Sequence, residues 1–341
     1  MDALTPEARR SPALVLNERA LGLRRSGVAT ELGRIVVRAG RRTADPDKNA
    51  TATILLHGAA GSWSTWTPLI VASDRSSKPL ADLIVLDLPG WGESGTLSGD
   101  ASAADVSRAV ATVARTLGYS SWRVIGHSLG GFIALDLASR EPSTTTGIVL
   151  VSGTGVGVLD AIRRPVRGGA KLLAFAGMLA TMRVVRLLGA AGRALVRGLH
   201  RIGVLATLAA PLFAQPRRIH RSVIDALAVE IRPAAFTRAA RIAAAHDTES
   251  WRRIECPVWG IRGVQDVFAG AGDAAAFGSL IGRFAELRVP DAGHFAHIER
   301  PDAVLAAIAL VKRQEAARRG VPATVRGGAE TVPAARPLVA A

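Results

Sequence analysis

Aromatic residues are scarce in this chain, at 4% of its 341 positions. Lysine is scarcer: only Lys48, Lys78, Lys171 and Lys312 stand among 43 cationic residues. The single cysteine, Cys256, excludes a disulfide within the chain. It precedes Pro257 in an apolar strand-like run, where a buried packing thiol is expected. No stretch of 18 or more uncharged apolar residues occurs, so no transmembrane helix is expected. Near the start, Asp2 and Glu7 precede Arg9-Arg10, and the apolar run at 13–16 is too short for a secretory signal. A cytoplasmic protein is the resulting expectation. No Cys/His/Asp/Glu group has metal-ligand spacing, and no dinucleotide fingerprint is present, so neither a metal nor a cofactor is expected. No nucleic-acid-binding module and no basic run interleaved with aromatics is found, so no nucleic-acid partner is expected.

Apolar residues and positive charge are plentiful. Hydrophobic residues make up 49%, enough for a large core, and the formal net charge is +15. A surface this basic suits anionic membranes or acidic substrates. The most informative stretch runs from Trp122 to Leu135. Val124 and Ile125 read as the end of a buried strand, residues 129–135 as the start of a helix, and Gly126-His127-Ser128-Leu129-Gly130 lies between them. A strand that turns sharply into a helix strains the corner residue and exposes its side chain. Glycines flank the corner because a Cβ there would meet neighbouring backbone. The corner residue is Ser128.

Apolar strand patterns and helical patterns alternate around it. Strands are expected at 30–39, 51–56, 83–88, 146–152, 257–261 and 284–289. Helices are expected at 102–117, opened by a Ser102–Asp105 capping box, after the elbow, and at 301–319 behind Pro301. Such alternation implies an α/β fold with a mostly parallel twisted sheet and helices on both faces. The rhythm breaks after Gly157, where helical patterns run on without strands. The organisation read from this is an N-terminal extension (1–26), a core (27–158 and 252–316), a helical insertion (159–251) and a disordered tail (317–341).

A serine hydroxyl is a poor nucleophile until a base takes its proton and a third group fixes the tautomer of that base. His294 is the best base: it follows a strand, on a loop opened by Gly293. Asp266 is the best orienting acid, also just past a strand end, with Asp160 in reserve. His57 is expected to brace the Gly-rich loop 57–63, and His297 to lie in a turn or helix start. His200, His220 and His246 fall in the insertion. Backbone N–H groups of Leu129, at a helix N-terminus, and of Ala59 are placed to form an oxyanion hole.

Four segments in order resemble the α/β-hydrolase family: His57-Gly58-x-x-Gly61-Ser62, Asp87-Leu88-Pro89-Gly90-x-Gly92-x-Ser94, Gly126-His127-Ser128-Leu129-Gly130-Gly131, and Gly293-His294-x-x-His297-x-Glu299-x-Pro301. They are similar to the cap-bearing branch with its small esterases, lactonases, cofactor-free haloperoxidases and C–C bond hydrolases. The resemblance covers residues 30–158 and 252–315. It implies a Ser128–His294–Asp266 triad under a cap formed by the insertion. The loop from Arg262 to Asp266 is longer than the family's usual Gly-x-x-Asp turn. Ser at the elbow, rather than the Asp of haloalkane dehalogenases and epoxide hydrolases, favours acyl chemistry on a small hydrophobic acyl or carbonyl substrate. Three activities stay open: ester hydrolysis through an acyl-enzyme, C–C bond hydrolysis or haloperoxidase-like chemistry on the same triad, and a weakly catalytic accessory role at a membrane. The insertion carries Arg183, Arg186, Arg193, Arg197 and Arg201, which at about 100° per residue fall in one stripe. A lid helix with a wet basic face, or one resting on anionic lipid, would look like this.

Overall fold

A computed structural model describes residues 11–43, 50–97 and 100–320. Among them, eight strands form one sheet: β1 (Leu23–Thr30), β2 (Gly33–Gly40), β3 (Thr51–Leu56), β4 (Leu83–Leu86), β5 (Ser121–His127), β6 (Thr145–Val151), β7 (Val258–Gly263) and β8 (Phe284–Val289). Their spatial order is β1-β2-β4-β3-β5-β6-β7-β8. β2 runs antiparallel to both neighbours, and every other adjacent pair is parallel.

The pleat sends alternate side chains to opposite faces, and both faces are covered. On one, Ile54, Val124 and Ile148 pack under Val106, Val110 and Val113 of α2 (Ala103–Thr116) and Phe132 and Leu135 of α3 (Leu129–Arg140), which follow the first helix, α1 (Thr67–Asp74). On the other, their sequence neighbours Leu55, Ile125 and Val149 pack under Leu69 and Ile70 of α1 and under Val304, Ile308 and Val311, near the C-terminal end of the described chain. The expected capping box is present: the Asp105 N–H donates to the Ser102 hydroxyl at 3.3 Å, and the Ser102 N–H to the Asp105 carboxylate at 2.7 Å.

Between β6 and β7 the chain is helical: α4 (Val156–Arg163), α5 (Arg167–Lys171), α6 (Leu173–Leu187), α7 (Gly189–Arg201), α8 (Val204–Ala209), α9 (Arg221–Glu230) and α10 (Pro233–Ala245). The remaining helices are α11 (Asp273–Leu280), α12 (Ala296–Glu299) and α13 (Pro301–Gly320).

Several expectations change. The strand expected at 30–39 is one arm of a hairpin, with Thr30 paired to Gly33 across a Glu31-Leu32 turn. Its other arm, β1, starts inside the expected extension. Residues 11–17 pack against the insertion: the Ser11 N–H donates to the Arg218 carbonyl at 2.8 Å, and Leu14 is buried with Phe213 and Val223. The first insertion helix begins at Val156, three residues before the expected boundary. α13 runs to Gly320, past the expected boundary at 316, and residues 321–341 lie outside the described residues. The arginine stripe holds only along one continuous helix, a reading that Gly189, Gly192 and Gly198 weaken. Gly189, at φ 56°, separates Arg183 and Arg186 on α6 from Arg193, Arg197 and Arg201 on α7.

Candidate active site

β3, β5, β7 and β8 run parallel, so their C-terminal ends present their loops at one edge of the sheet, where an open α/β sheet places its site. Ser128 is the single residue between β5 and α3. Its backbone is at φ 48°, ψ −114°, a conformation that costs a non-glycine residue of the order of 1–3 kcal/mol. Neighbouring backbone enforces it. The Ser128 N–H donates to the Val151 carbonyl at 3.0 Å, and its carbonyl accepts from the N–H groups of Gly131 (2.9 Å) and Thr154 (3.1 Å). A Cβ on Gly126 would lie 2.4 Å from the Gly130 carbonyl oxygen, and one on Gly130 only 2.1 Å from that of Leu56. Both glycines of the motif are therefore steric requirements.

His294 lies on the loop after β8, with its imidazole 7% exposed. Its Nδ1 is 3.0 Å from Oδ1 of Asp266, whose side chain is 1% exposed. The carboxylate accepts, so Nδ1 carries the hydrogen and Nε2 is left without one. Burial pushes the Asp266 carboxyl up. The charge and hydrogen bond of His294, the Phe268 N–H and the neighbouring Ser152 hydroxyl outweigh it and hold the group below the ordinary carboxylate range. The long loop before Asp266 does not displace it, because it continues the sheet. The Val264 N–H donates to the Val289 carbonyl and the Gln265 N–H to the Ala292 carbonyl. At Gly263, a Cβ would sit 2.2 Å from that same Ala292 carbonyl, so the loops carrying Asp266 and His294 touch backbone to backbone. Asp160 is elsewhere, on α4, 3.5 Å from Arg164, and does not meet His294.

Among the described residues no hydrogen bond joins the Ser128 hydroxyl to His294; the two are linked indirectly, through His127. A Cβ on Gly58 would touch the His127 ring at 2.6 Å and the Ser128 Cβ at 3.1 Å, so the Gly-rich loop, His127 and the serine are in contact. The His127 ring lies 4.8 Å from that of His294, and its Nε2 donates to the His294 carbonyl at 2.9 Å. Burial, together with the facing imidazoles, pushes the His127 pKa well below its ordinary value, so this ring is neutral and structural. His297, within α12, is likewise driven down to about 3 by burial. His57 braces the loop as expected: the Leu88 N–H donates to its Nε2 at 2.9 Å, and its Nδ1 lies 2.8 Å from the Gly58 carbonyl. Asp87, fully buried, accepts from the Trp63 N–H at 2.9 Å and from Arg38 at 2.5 Å, fixing the other end of that loop. Ala59 is half-buried between the core and the insertion, and Leu129 opens α3. The first N–H groups of a helix have no acceptor within it.

Three contributors went unread in the sequence. Glu299 accepts from the N–H groups of Gly293 (2.7 Å), Ala214 (2.8 Å) and Gln215 (3.3 Å), tying the base loop to the insertion, while the His294 N–H donates to the Leu212 carbonyl. Its place in the His297-x-Glu299-x-Pro301 pattern was the only signal. His127 and Ser152 work through backbone placement, which no spacing reveals. Apolar side chains surround the His294 ring on this side. Phe268 meets the His294 ring edge-on at 4.8 Å, and Phe175 of α6 meets Phe268 at 5.9 Å. Phe175, Phe268, Leu179 and Phe236 form one buried cluster against Ala59. Among the described residues no group of His, Cys, Asp and Glu could hold a metal ion, and no single helix is long and apolar enough to cross a membrane.

Known proteins match this arrangement. The chain is 32% identical over 116 residues to the dihydrolipoyllysine-residue acetyltransferase component of the acetoin cleaving system of Cupriavidus necator, covering 33% of this chain and 29% of that protein. It is 30% identical over 118 residues to a 2-hydroxy-6-oxononadienedioate/2-hydroxy-6-oxononatrienedioate hydrolase of Burkholderia vietnamiensis, covering 34% and 41%. The chain thus spans less than half the length of these curated relatives. Its structure is similar to that of a thermophilic esterase from Thermogutta terrifontis, at a TM-score of 0.62 and 21% identity, over 86% of this chain and 99% of that one. The model of the alpha/beta hydrolase family matches residues 53–307. With three-quarters of its length inside that match and its sheet in the order described, the chain belongs to the α/β hydrolase family.

Proposed function

We propose that the chain is a serine hydrolase of carboxylic esters with a hydrophobic acyl or alcohol part. The observation that carries this reading is the strained Ser128 corner beside a buried imidazole–carboxylate pair. In this reading the Ser128 Oγ attacks the ester carbonyl and His294 Nε2 takes its proton. The oxyanion develops against the N–H groups of Leu129 and Ala59, each worth about 3–4 kcal/mol of barrier. Collapse expels the alcohol, which receives the proton from His294. Water, activated by the same imidazole, then frees the acid from Ser128. Asp266 keeps the proton on Nδ1 and stabilises the imidazolium. The helices from α4 to α10 act as the cap, and Phe175 and Phe236 on them, packed with Phe268 from the loop after β7, make the space beneath apolar, which favours a lipophilic substrate.

A panel of nitrophenyl esters of rising acyl length tests the reading. The expected result is a burst of nitrophenol and a kcat/KM that climbs with chain length, both absent from Ser128→Ala. A second reading, hydrolysis of a C–C bond next to a carbonyl, draws on the match to the oxononadienedioate hydrolase. Turnover of a vinylogous diketone acid with no burst on any ester would favour it.

A further inference from the structure

Residues 161–224 hold eleven arginines and one lysine and not one aspartate or glutamate. Arg183, Arg193, Arg197 and Arg201 are exposed and have no carboxylate partner among the described residues. Apolar side chains lie exposed among them. On α6, Leu173 is 75%, Val184 54% and Leu187 86% exposed. At about 100° per residue these three, with the exposed Gly177 and Ala180 between them, fall within a strip about 80° wide. The strip lies opposite Phe175 and Leu179, which hold α6 on the cap. Beyond the break at Gly189 the pattern continues with Leu195, Ile202 and Leu208, at 50%, 73% and 61% exposure. α7 and the segment Val204–Leu212 meet at 93°, which suits a pair lying along a surface.

Exposed apolar area on this scale marks an interaction site. Its charge says which kind. Every charged side chain on α5 to α8 is positive, and arginine can bury its stem beside Leu and Val while its head stays in a wet anionic layer. We infer that the outer face of α6 to α8 docks on an anionic phospholipid surface, with Leu173, Val184, Leu187 and Ile202 entering the acyl boundary and the arginines meeting the headgroups. This face is the side of α6 opposite Phe175 and Leu179, which pack inward.

The test is flotation of the whole chain with vesicles of phosphatidylcholine alone or mixed with phosphatidylglycerol, at low and high salt. The expected result is at least about tenfold stronger partition onto the anionic vesicles, lost as salt rises. The Arg193→Gln/Arg197→Gln/Arg201→Gln variant should lose about a hundredfold, at roughly fivefold per arginine. Val184→Glu/Leu187→Glu should abolish partition independently. Both variants should keep the melting temperature and the wild-type hydrolysis rate on a short, water-soluble nitrophenyl ester, which separates this proposal from the catalytic one. Equal partition onto neutral vesicles, or wild-type partition by both variants, would overturn it. So would absence of vesicle binding together with a dimer, seen by sedimentation, that Leu187→Glu dissolves: the face would then join two copies of the chain.

Discussion

Replacing Asp266 by asparagine removes one charge and almost nothing else, and the surroundings determine which way the amide faces. Both the Phe268 N–H, at 2.9 Å, and His294 Nδ1, at 3.0 Å, address the same oxygen, Oδ1. An amide nitrogen placed there would confront two donors, so the carbonyl takes that position and the NH2 turns toward Ser152. The imidazole therefore keeps its Nδ1 hydrogen and its orientation. What is lost is the charged partner of the imidazolium that forms during attack. A hydrogen bond to a charged group is worth about 1.5–3 kcal/mol, so kcat/KM on a nitrophenyl ester should fall about 10- to 150-fold. A flipped amide that imposed the wrong tautomer would cost nearer 10⁴. Stopped-flow kinetics, with the melting temperature as the folding control, reads the fall. A fall of less than about threefold would refute the role given to Asp266.

Further consequences follow from the same packing. Burial raises the Glu299 carboxyl above the ordinary 4.5, against three N–H donors that lower it. A carboxyl raised on folding contributes stability that is full below the unfolded value and is lost as pH rises through the folded one. Glu299→Gln should therefore show a shallower decline of unfolding free energy as pH rises from about 4.5, measured by urea titration, and a lower kcat from the loosened base loop. Gly130→Ala, whose Cβ would lie 2.1 Å from the Leu56 carbonyl oxygen, should cost at least about 3 kcal/mol or fail to fold, as judged by chemical denaturation. The Cys256 thiol, 1% exposed and pushed up to about 12 by burial, should resist a disulfide reagent in the native state and react fully in denaturant.

The parts of the sheet legible in the sequence are those whose side chains carry the sheet's own period. β3 and β8 lie where β-branched and apolar residues place them. β1 escaped because Leu23-Arg24-Arg25-Ser26-Gly27 reads as polar extension. As an edge strand it buries only Leu23 and Val28 and takes its register from β2. The helical character of the insertion was legible, and Gly189, Gly192 and Gly198 already argue against one continuous helix; which glycines break it was not, because Gly189 and Gly203 at positive φ differ from Gly177 and Gly198 only in backbone conformation. At the site, Ser128, His294 and Asp266 each follow a strand end, and strand ends can be located from apolar runs. Asp160 also follows a strand, but α4 begins before it and carries it away. Glu299, His127 and Ser152 were illegible because their partners are backbone groups or side chains far away in sequence.

The most direct measurement is labelling with a fluorophosphonate, followed by intact mass and peptide mapping. The account predicts one adduct on the wild-type chain, located on Ser128, none on Ser128→Ala, and a labelling rate at least about a hundredfold lower in His294→Asn. A wild-type chain that stays unlabelled, or a Ser128→Ala chain labelled as fast as wild type, would contradict it.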